Sequence, residues 1–303
     1  MAVPMRSTDF RSIVEPILNK AFDGVYDQSK DEWSEVFKAQ TGIARSYHEE
    51  PYLYGFASAP AMPDGTAVKY AKGGVLYLAR YLYQVYGLAF ALTKVLVEDG
   101  DHIRIGRIFS ESLAQALVET KETVCANILN RAFNTSYLGG DGAVLVGNNH
   151  PMISGTWSNL LTTSAVLSQT STEQMIIQMR KAVDAANKKV NVMPDKFVVS
   201  PDNMLQAEVI TKSILRTSTA NNDINPVKDK LPGGIAVLSR LTSTTAWWIK
   251  AGNVRQGLQL MTRRPMEKSM EGDFETDSMR YKGTERYQPG WTDPRDLWGT
   301  PGT

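Results

Sequence analysis

The order of apolar patterns along this chain predicts an α+β fold. One long helix separates an extended, aromatic-rich segment from a compact region in which short strands and helices alternate. Three observations carry the expectation. Ile105, Phe109, Leu113, Leu117, Val124 and Ile128 recur at spacings of four and seven, the stripe of an amphipathic helix. Between residues 52 and 92, Tyr52, Tyr54, Phe56, Tyr70, Tyr77, Tyr81, Tyr83, Tyr86 and Phe90 crowd a segment that lacks helical spacing. Beyond Leu145, the short apolar runs Phe197–Val199, Ile235–Leu238 and Ala246–Ile249 alternate with polar and helical stretches.

Residues 1–50 read as an arm that packs on something else. Phe10, Ile13, Val14, Ile17 and Leu18 have helical spacing, but Pro16 interrupts them, and proline breaks a helix interior. Residues 51–92 read as two long strands joined by loops. Pro63-Asp64-Gly65 marks a turn, Gly73-Gly74 a flexible point, and Leu76 to Tyr86 favours extended chain. Such a hairpin would expose too much apolar surface in an isolated monomer. The long helix is expected from about Asp101 to Asn134, about 50 Å at 1.5 Å per residue, and ends before Gly139-Gly140-Asp141-Gly142.

The compact region opens its first helix with two overlapping capping boxes, Thr170-x-x-Glu173 and Ser171-x-x-Gln174. Met175, Ile176, Met179 and Val183 would form the apolar face. Ser200 would cap the next helix, with Pro201 in its first position. Met204, Ala207, Ile214 and Leu215 would carry that helix inward. Ser218 to Pro226 is a polar loop, Leu231–Gly234 a turn, Gly257 to Thr262 a half-buried strand and Met279 to Tyr287 another.

Composition excludes several functions. At 42% hydrophobic, the 303 residues can bury a sizeable core. A formal net charge of +1 gives no general basic footprint for gripping nucleic acid. Cys125 is the only cysteine, so neither an internal disulfide nor a cysteine-rich zinc site can form, and a buried packing role is expected. His48, His102 and His150 lack metal-ligand spacing, and no Walker loop is present. Met1–Ser7 has no apolar signal region, and Leu88 to Val97 is too short to span a bilayer. A chain made in the cytoplasm, without membrane or cofactor, is expected.

Several local sequences together resemble a known family. Leu145-Val146-Gly147-Asn148-Asn149-His150-Pro151 is followed by Ser158-Asn159, Leu167-Ser168, a helix, and Phe197-Val198-Val199 running into Ser200-Pro201. Tyr86–Thr93 precedes Glu98-Asp99. Trp247-Trp248-Ile249, Asp273-Phe274-Glu275 and Glu285-Arg286 follow in order. The set resembles the major capsid (head) proteins of tailed bacteriophages, from about Tyr86 to the C-terminus. That resemblance implies an HK97-like fold: an N-terminal arm (1–50), an E-loop hairpin (51–92), a spine helix of the peripheral (P) domain (93–138), an axial (A) domain (139–256), then returning P-domain strands with a tail (257–303).

It also implies a function. The protein would be a structural, non-enzymatic subunit of the virion, made in the host bacterial cytoplasm. It would self-assemble as pentamers and hexamers into an icosahedral shell around double-stranded DNA. A separate scaffolding protein, a portal and a decoration protein would be its partners. The inter-subunit contacts would fall on Tyr70, Leu76, Tyr77, Leu78, Tyr81 and Leu82 of the hairpin. The capsomer centre would be lined by Asn221, Asn222, Asp223 and Asn225. Some relatives join subunits by a Lys–Asn isopeptide bond whose Asn closes an Asp-Phe-Glu-x-Asn run. Here Asp277 stands in that place, so no crosslink is expected by this route. With about fifty residues before the hairpin, no large fused scaffold is expected.

Two other readings compete. An encapsulin-like nanocompartment would share the fold and hold protein cargo. A hydrolase would need a triad such as His150, Asp184 and Ser200, but Gly-x-Ser-x-Gly is missing and Ser200 precedes proline at a helix start. Arg263-Arg264 and Lys268 could face DNA or pair with Glu267, and Lys188-Lys189 suit a helix C-terminus.

Overall fold

A computed structural model describes residues 7–42, 45–56, 58–93, 95–96, 101–216, 223–273 and 278–302, with side chains from residue 14 onward. The fold is α+β, and two four-stranded sheets organise it.

The first sheet is long. Its strands are β1 (Lys38–Gln40), β4 (Gln84–Thr93), β10 (Leu258–Asp273) and β11 (Ser278–Trp291), in the order β1-β10-β11-β4. Helices α1 (Ser7–Tyr26) and α2 (His102–Asn130) cover one face. Helix α1 continues through Pro16, contrary to the expected interruption. The reason is tertiary. Val14, Leu18 and Phe22 are buried against Leu92, Leu113, Leu117 and Tyr281. At about 1.5–3 kcal/mol per buried side chain, they outweigh the roughly 3 kcal/mol that an internal proline costs. Gly106 lets the two helices approach, since a Cβ there would lie 3.0 Å from Leu18 Cδ2. The Ser110 hydroxyl donates to Leu18 O at 2.8 Å and ties them together.

Helix α2 is the predicted long helix, about 43 Å at 1.5 Å per residue. Leu113 and Leu117 are buried as expected, while Phe109 of the same stripe is exposed and meets Phe90 edge-on. The buried line shifts to Cys125, Ala126 and Leu129 near the C-terminal end, where a different partner waits.

That partner is the second sheet, in the order β12-β9-β7-β8, formed by β7 (Pro194–Val199), β8 (Gly234–Val237), β9 (Trp247–Ala251) and β12 (Leu297–Thr300). Successive strand residues face opposite sides, and the paired tryptophans of β9 use both. Trp248 enters the core shared with Cys125, Leu129, Leu258 and Tyr287, while Trp247 enters the core under α3 (Gln169–Arg180) and α4 (Met204–Lys212). The first of these cores joins the two sheets.

Local details differ from expectation. The cap of α3 is Ser168, boxed with Ser171, rather than either predicted box. Ser200 precedes a 3-10 turn (Pro201–Asn203), and its hydroxyl caps nothing. Helix α4 stops at Lys212, leaving Ile214 and Leu215 exposed rather than directed inward. Leu258–Met261 is buried on both faces, because another layer covers it. No helix among the described residues is long and apolar enough to cross a membrane.

Candidate assembly interface

Two strand pairs stand apart from both four-stranded sheets, and the longer is a hairpin. β2 (Tyr47–Tyr54) pairs antiparallel with β3 (Gly74–Leu82), from Tyr47↔Leu82 to Tyr54↔Gly74. Residues 55–73 form the far end, outside any strand. β4 follows after Tyr83 alone and pairs with β11, not with the hairpin. The hairpin therefore pairs 47–54 with 74–82, and 84–93 lies in the long sheet.

The pleat gives the hairpin two unlike faces. The inner face docks on the segment after β11. The Thr292 hydroxyl donates to Glu50 Oε2 at 2.6 Å, so the Tyr81 hydroxyl, 2.5 Å away, donates to Thr292 Oγ1. Gln256 and Gln259 donate to the two Glu50 oxygens at 3.0 and 2.9 Å. Tyr77 donates its hydroxyl to Thr292 O at 2.8 Å, and its ring stacks on Tyr52 at 4.9 Å. The Arg295 guanidinium donates to the Tyr52 hydroxyl at 2.6 Å. Burial pushes the Tyr52 phenol up to about 12, and raises Tyr77 and Tyr81 further. All three phenols stay neutral at physiological pH. This face is a polar mooring, and it fixes where the hairpin leaves the subunit.

The outer face is apolar and bare. Leu82 is 65% exposed, Leu78 47% and Tyr47 40%, with the Glu49–Arg80 ion pair at 2.5 Å among them. Val85 and Leu88 of β4 are exposed as well, and so are Leu53, Met62, Val68 and Tyr70 nearer the far end of the hairpin. Exposed apolar side chains gathered on one strand face, as Leu78 and Leu82 are with Tyr47 opposite, are the kind of surface that marks an interaction site. The structure thus divides the six hairpin residues singled out from the sequence. Tyr70, Leu78 and Leu82 face outward, Leu76 is half-buried, and Tyr77 and Tyr81 hydrogen-bond within the subunit. Glu50, Thr292 and Arg295 were missed. Only the alternation in 77–82 could have pointed to their side of the strand.

The polar loop divides too. Asn221 and Asn222 lie outside the described residues. Asp223 is exposed, and its carbonyl accepts the Arg216 amide. Asn225 is buried, donating to Ile210 O and Ser213 O while accepting from Gln169. It anchors the base of the loop.

The most specific sequence pair, His150 and Asn159, meets in a buried node. His150 Nδ1 lies 2.7 Å from Asp141 Oδ2, and Nε2 lies 2.9 Å from Asn159 Oδ1. That same oxygen accepts the Gly147 amide at 2.8 Å. The Asn159 amide group faces Leu145 O, Leu297 O and Pro294 O at 2.8 to 3.0 Å. Trp157 stacks on the imidazole at 4.7 Å and carries Arg295 on its ring at 4.3 Å. Four segments are pinned here: the Gly139–Gly142 turn, the run to Gly147, the small strand pair β5 (His150–Pro151) and β6 (Thr156–Trp157), and the approach to β12.

The node does not form the triad considered above. His150 is 0% exposed, and its second nitrogen meets a carboxamide, not a hydroxyl. Asp184 instead accepts the amides of Ala186 and Lys188, and Ser200 Oγ has no partner. Of the basic residues, Arg264 pairs with Glu267 at 3.4 Å and Lys268 with Asp23, while Lys189 reaches the carbonyl of Lys181 at the end of α3. Among the described residues, no cluster of His, Cys, Asp or Glu could hold a metal ion. Phe274–Asp277, including the position of the crosslink motif, lies outside the described residues.

Comparison with known proteins agrees with this architecture. A family model described as phage capsid protein matches residues 81–298. Among solved structures, the bacteriophage JBD30 capsid superposes with a TM-score of 0.54 at 10% identity, over 94% of this chain and 69% of that one. The capsid of cyanophage P-SCSP1u gives 0.54 at 13%, over 88% and 86%. A virus-like particle from Pyrococcus furiosus gives 0.51 at 12%, over 94% and 98%. At these identities the structural likeness carries the fold, which is HK97-like. No curated protein sequence matches. With the model match extending from the end of β3 to β12, the chain belongs to the phage capsid protein family.

Proposed function

We propose that this chain is the major head subunit of a tailed phage, and that copies of it form pentamers and hexamers that close into an icosahedral shell around double-stranded DNA. The observation that carries the reading is the hairpin: polar and moored on its inner face, apolar and uncovered on its outer face. A neighbouring copy covers the outer face through Tyr70, Leu78 and Leu82. Each contact contributes about 25 cal/mol per Å² of apolar area, and ring closure repeats it around every capsomer. Helix α2 serves as the strut. The loop that ends at Asn225 points toward the capsomer centre. Subunits are made in the host cytoplasm and assemble with a separate scaffolding protein, a portal and a decoration protein.

Sedimentation with negative-stain microscopy of the protein expressed alone tests this. Closed or tubular particles of megadalton mass support the shell. A monomer that also fails to assemble in lysate containing scaffold overturns it. Nuclease digestion of purified particles separates a genome container from a compartment for protein cargo.

A further inference from the structure

The segment before β1 spans the junction between the long helix and the second sheet. Glu32 accepts the Ser239 amide and hydroxyl at 2.8 Å each, and pairs with Arg240 at 3.1 Å. Glu35 pairs with Lys196 of β7 at 2.5 Å. On the other side, the Trp33 amide donates to Glu122 Oε2 of α2 at 3.0 Å. One short stretch of chain therefore clasps the helix to β7 of the second sheet and to the turn that follows β8.

Glu122 is an unusual choice for that clasp. It is 3% exposed, and its Oε1 has no hydrogen-bond partner. Asp31 and Glu32 face it from the clasp, and Cys125 from the next turn of its own helix. Arg240 lines the same small cavity, but its guanidinium engages Glu32 and Glu119. When ionised, Glu122 is a buried anion beside two other anions, with one oxygen bare. Protonation removes the buried charge and its repulsion from those two anions. Burial, reinforced by Glu32 and Asp31 and opposed by the Trp33 and Glu32 amides, pushes this carboxyl up to about 7.

We propose that Glu122 is a proton-operated latch: protonated, it holds the Asp31–Phe37 clasp closed across the junction, and ionised, it loosens the clasp. The sign follows from linkage. The closed state binds the proton more tightly than the open state, whose carboxyl has an ordinary pKa. Opening therefore becomes easier as pH rises from the ordinary carboxylate range to about 7, and levels off above it. The latch belongs to the single subunit and stands whether or not the chain builds shells.

Hydrogen exchange of peptides covering residues 31–37, measured on the whole chain between pH 5 and 8.5 and corrected for intrinsic rates, tests it. The opening constant should rise about tenfold per pH unit up to about 7 and then flatten. Glu122→Gln keeps the acceptor for Trp33 without the charge, and should hold the clasp closed with no pH dependence. Asp31→Asn should move the plateau to lower pH, and decides the matter if Glu122→Gln does not fold. A flat wild-type profile, an unchanged profile in the variants, or the same profile in β9 peptides would overturn the latch.

Discussion

Asn159→Ala is the sharpest perturbation of this fold. The side chain is 0% exposed, and its two polar atoms serve five partners. Truncation leaves the Gly147 amide and His150 Nε2 facing a void, and each buried orphan costs about 1–3 kcal/mol. The three carbonyls lose a donor but keep a second lone pair and, in Leu297, a strand pairing with Lys250, so they add less. A total loss of about 4 kcal/mol or more follows, a large share of the 5–15 kcal/mol that holds most domains together. For a chain of this size that lowers Tm by on the order of 10 °C. Thermal or urea unfolding of unassembled subunits, with far-UV circular dichroism as the probe, reads it directly. Ser158→Ala is the control. The Ser158 hydroxyl bonds only the Leu160 backbone two residues away, and should cost under about 1 kcal/mol. If Asn159→Ala unfolds within about 1 kcal/mol of wild type, the node is not the keystone its hydrogen bonds describe.

Other outcomes follow from the same geometry. Leu82→Asp places a charge on the bare face of the hairpin, and should leave subunit stability unchanged within about 0.5 kcal/mol while abolishing particles in sedimentation; normal shells would remove Leu82 from the interface. Excising residues 60–72 should give a folded, monodisperse subunit that does not assemble, which circular dichroism and light scattering distinguish from misfolding. A Cβ at Gly140 would sit 2.6 Å from the Ala79 backbone, so Gly140→Ala should displace the hairpin root and cost about 1–3 kcal/mol; an unperturbed Tm would show that the root yields freely. Denaturing gels of mature particles should show single chains, because Asp277 has no side-chain amide; ladders would point to another crosslinking pair.

What could be read in advance was periodic, and what could not was a matter of partners. Leu113 and Leu117 announced α2 because their neighbours on the helix are their own sequence. Trp247-Trp248 announced a core strand because both faces of β9 are apolar. Pro16 misled, since the faces that override it come from Leu92 and Tyr281, far along the chain. The strand 84–93 looks like a continuation of 74–82, and only the ladder of β11 separates them. Tyr77 and Tyr81 looked outward-facing because their acceptor, Thr292, lies more than two hundred residues away. His150 and Asn159 stood out in the sequence only as part of the family resemblance; that they meet each other, and Asp141 of a glycine-rich turn, is visible only in the fold.

The passage from hairpin to long sheet has a mechanical meaning. Tyr83 is the only residue between β3 and β4, its side chain is buried, and Arg286 holds its carbonyl at 3.3 Å. No loop is present there to absorb slack. A tug on the hairpin travels along the strand and arrives at the β4–β11 ladder parallel to its length, from Gln84↔Tyr287 to Thr93↔Ser278. A ladder pulled lengthwise yields only when many rungs let go together, whereas one peeled from its end opens rung by rung. On this side of the hairpin the subunit is thus built like a lap joint, with a single tyrosine as the whole of the slack between arm and sheet.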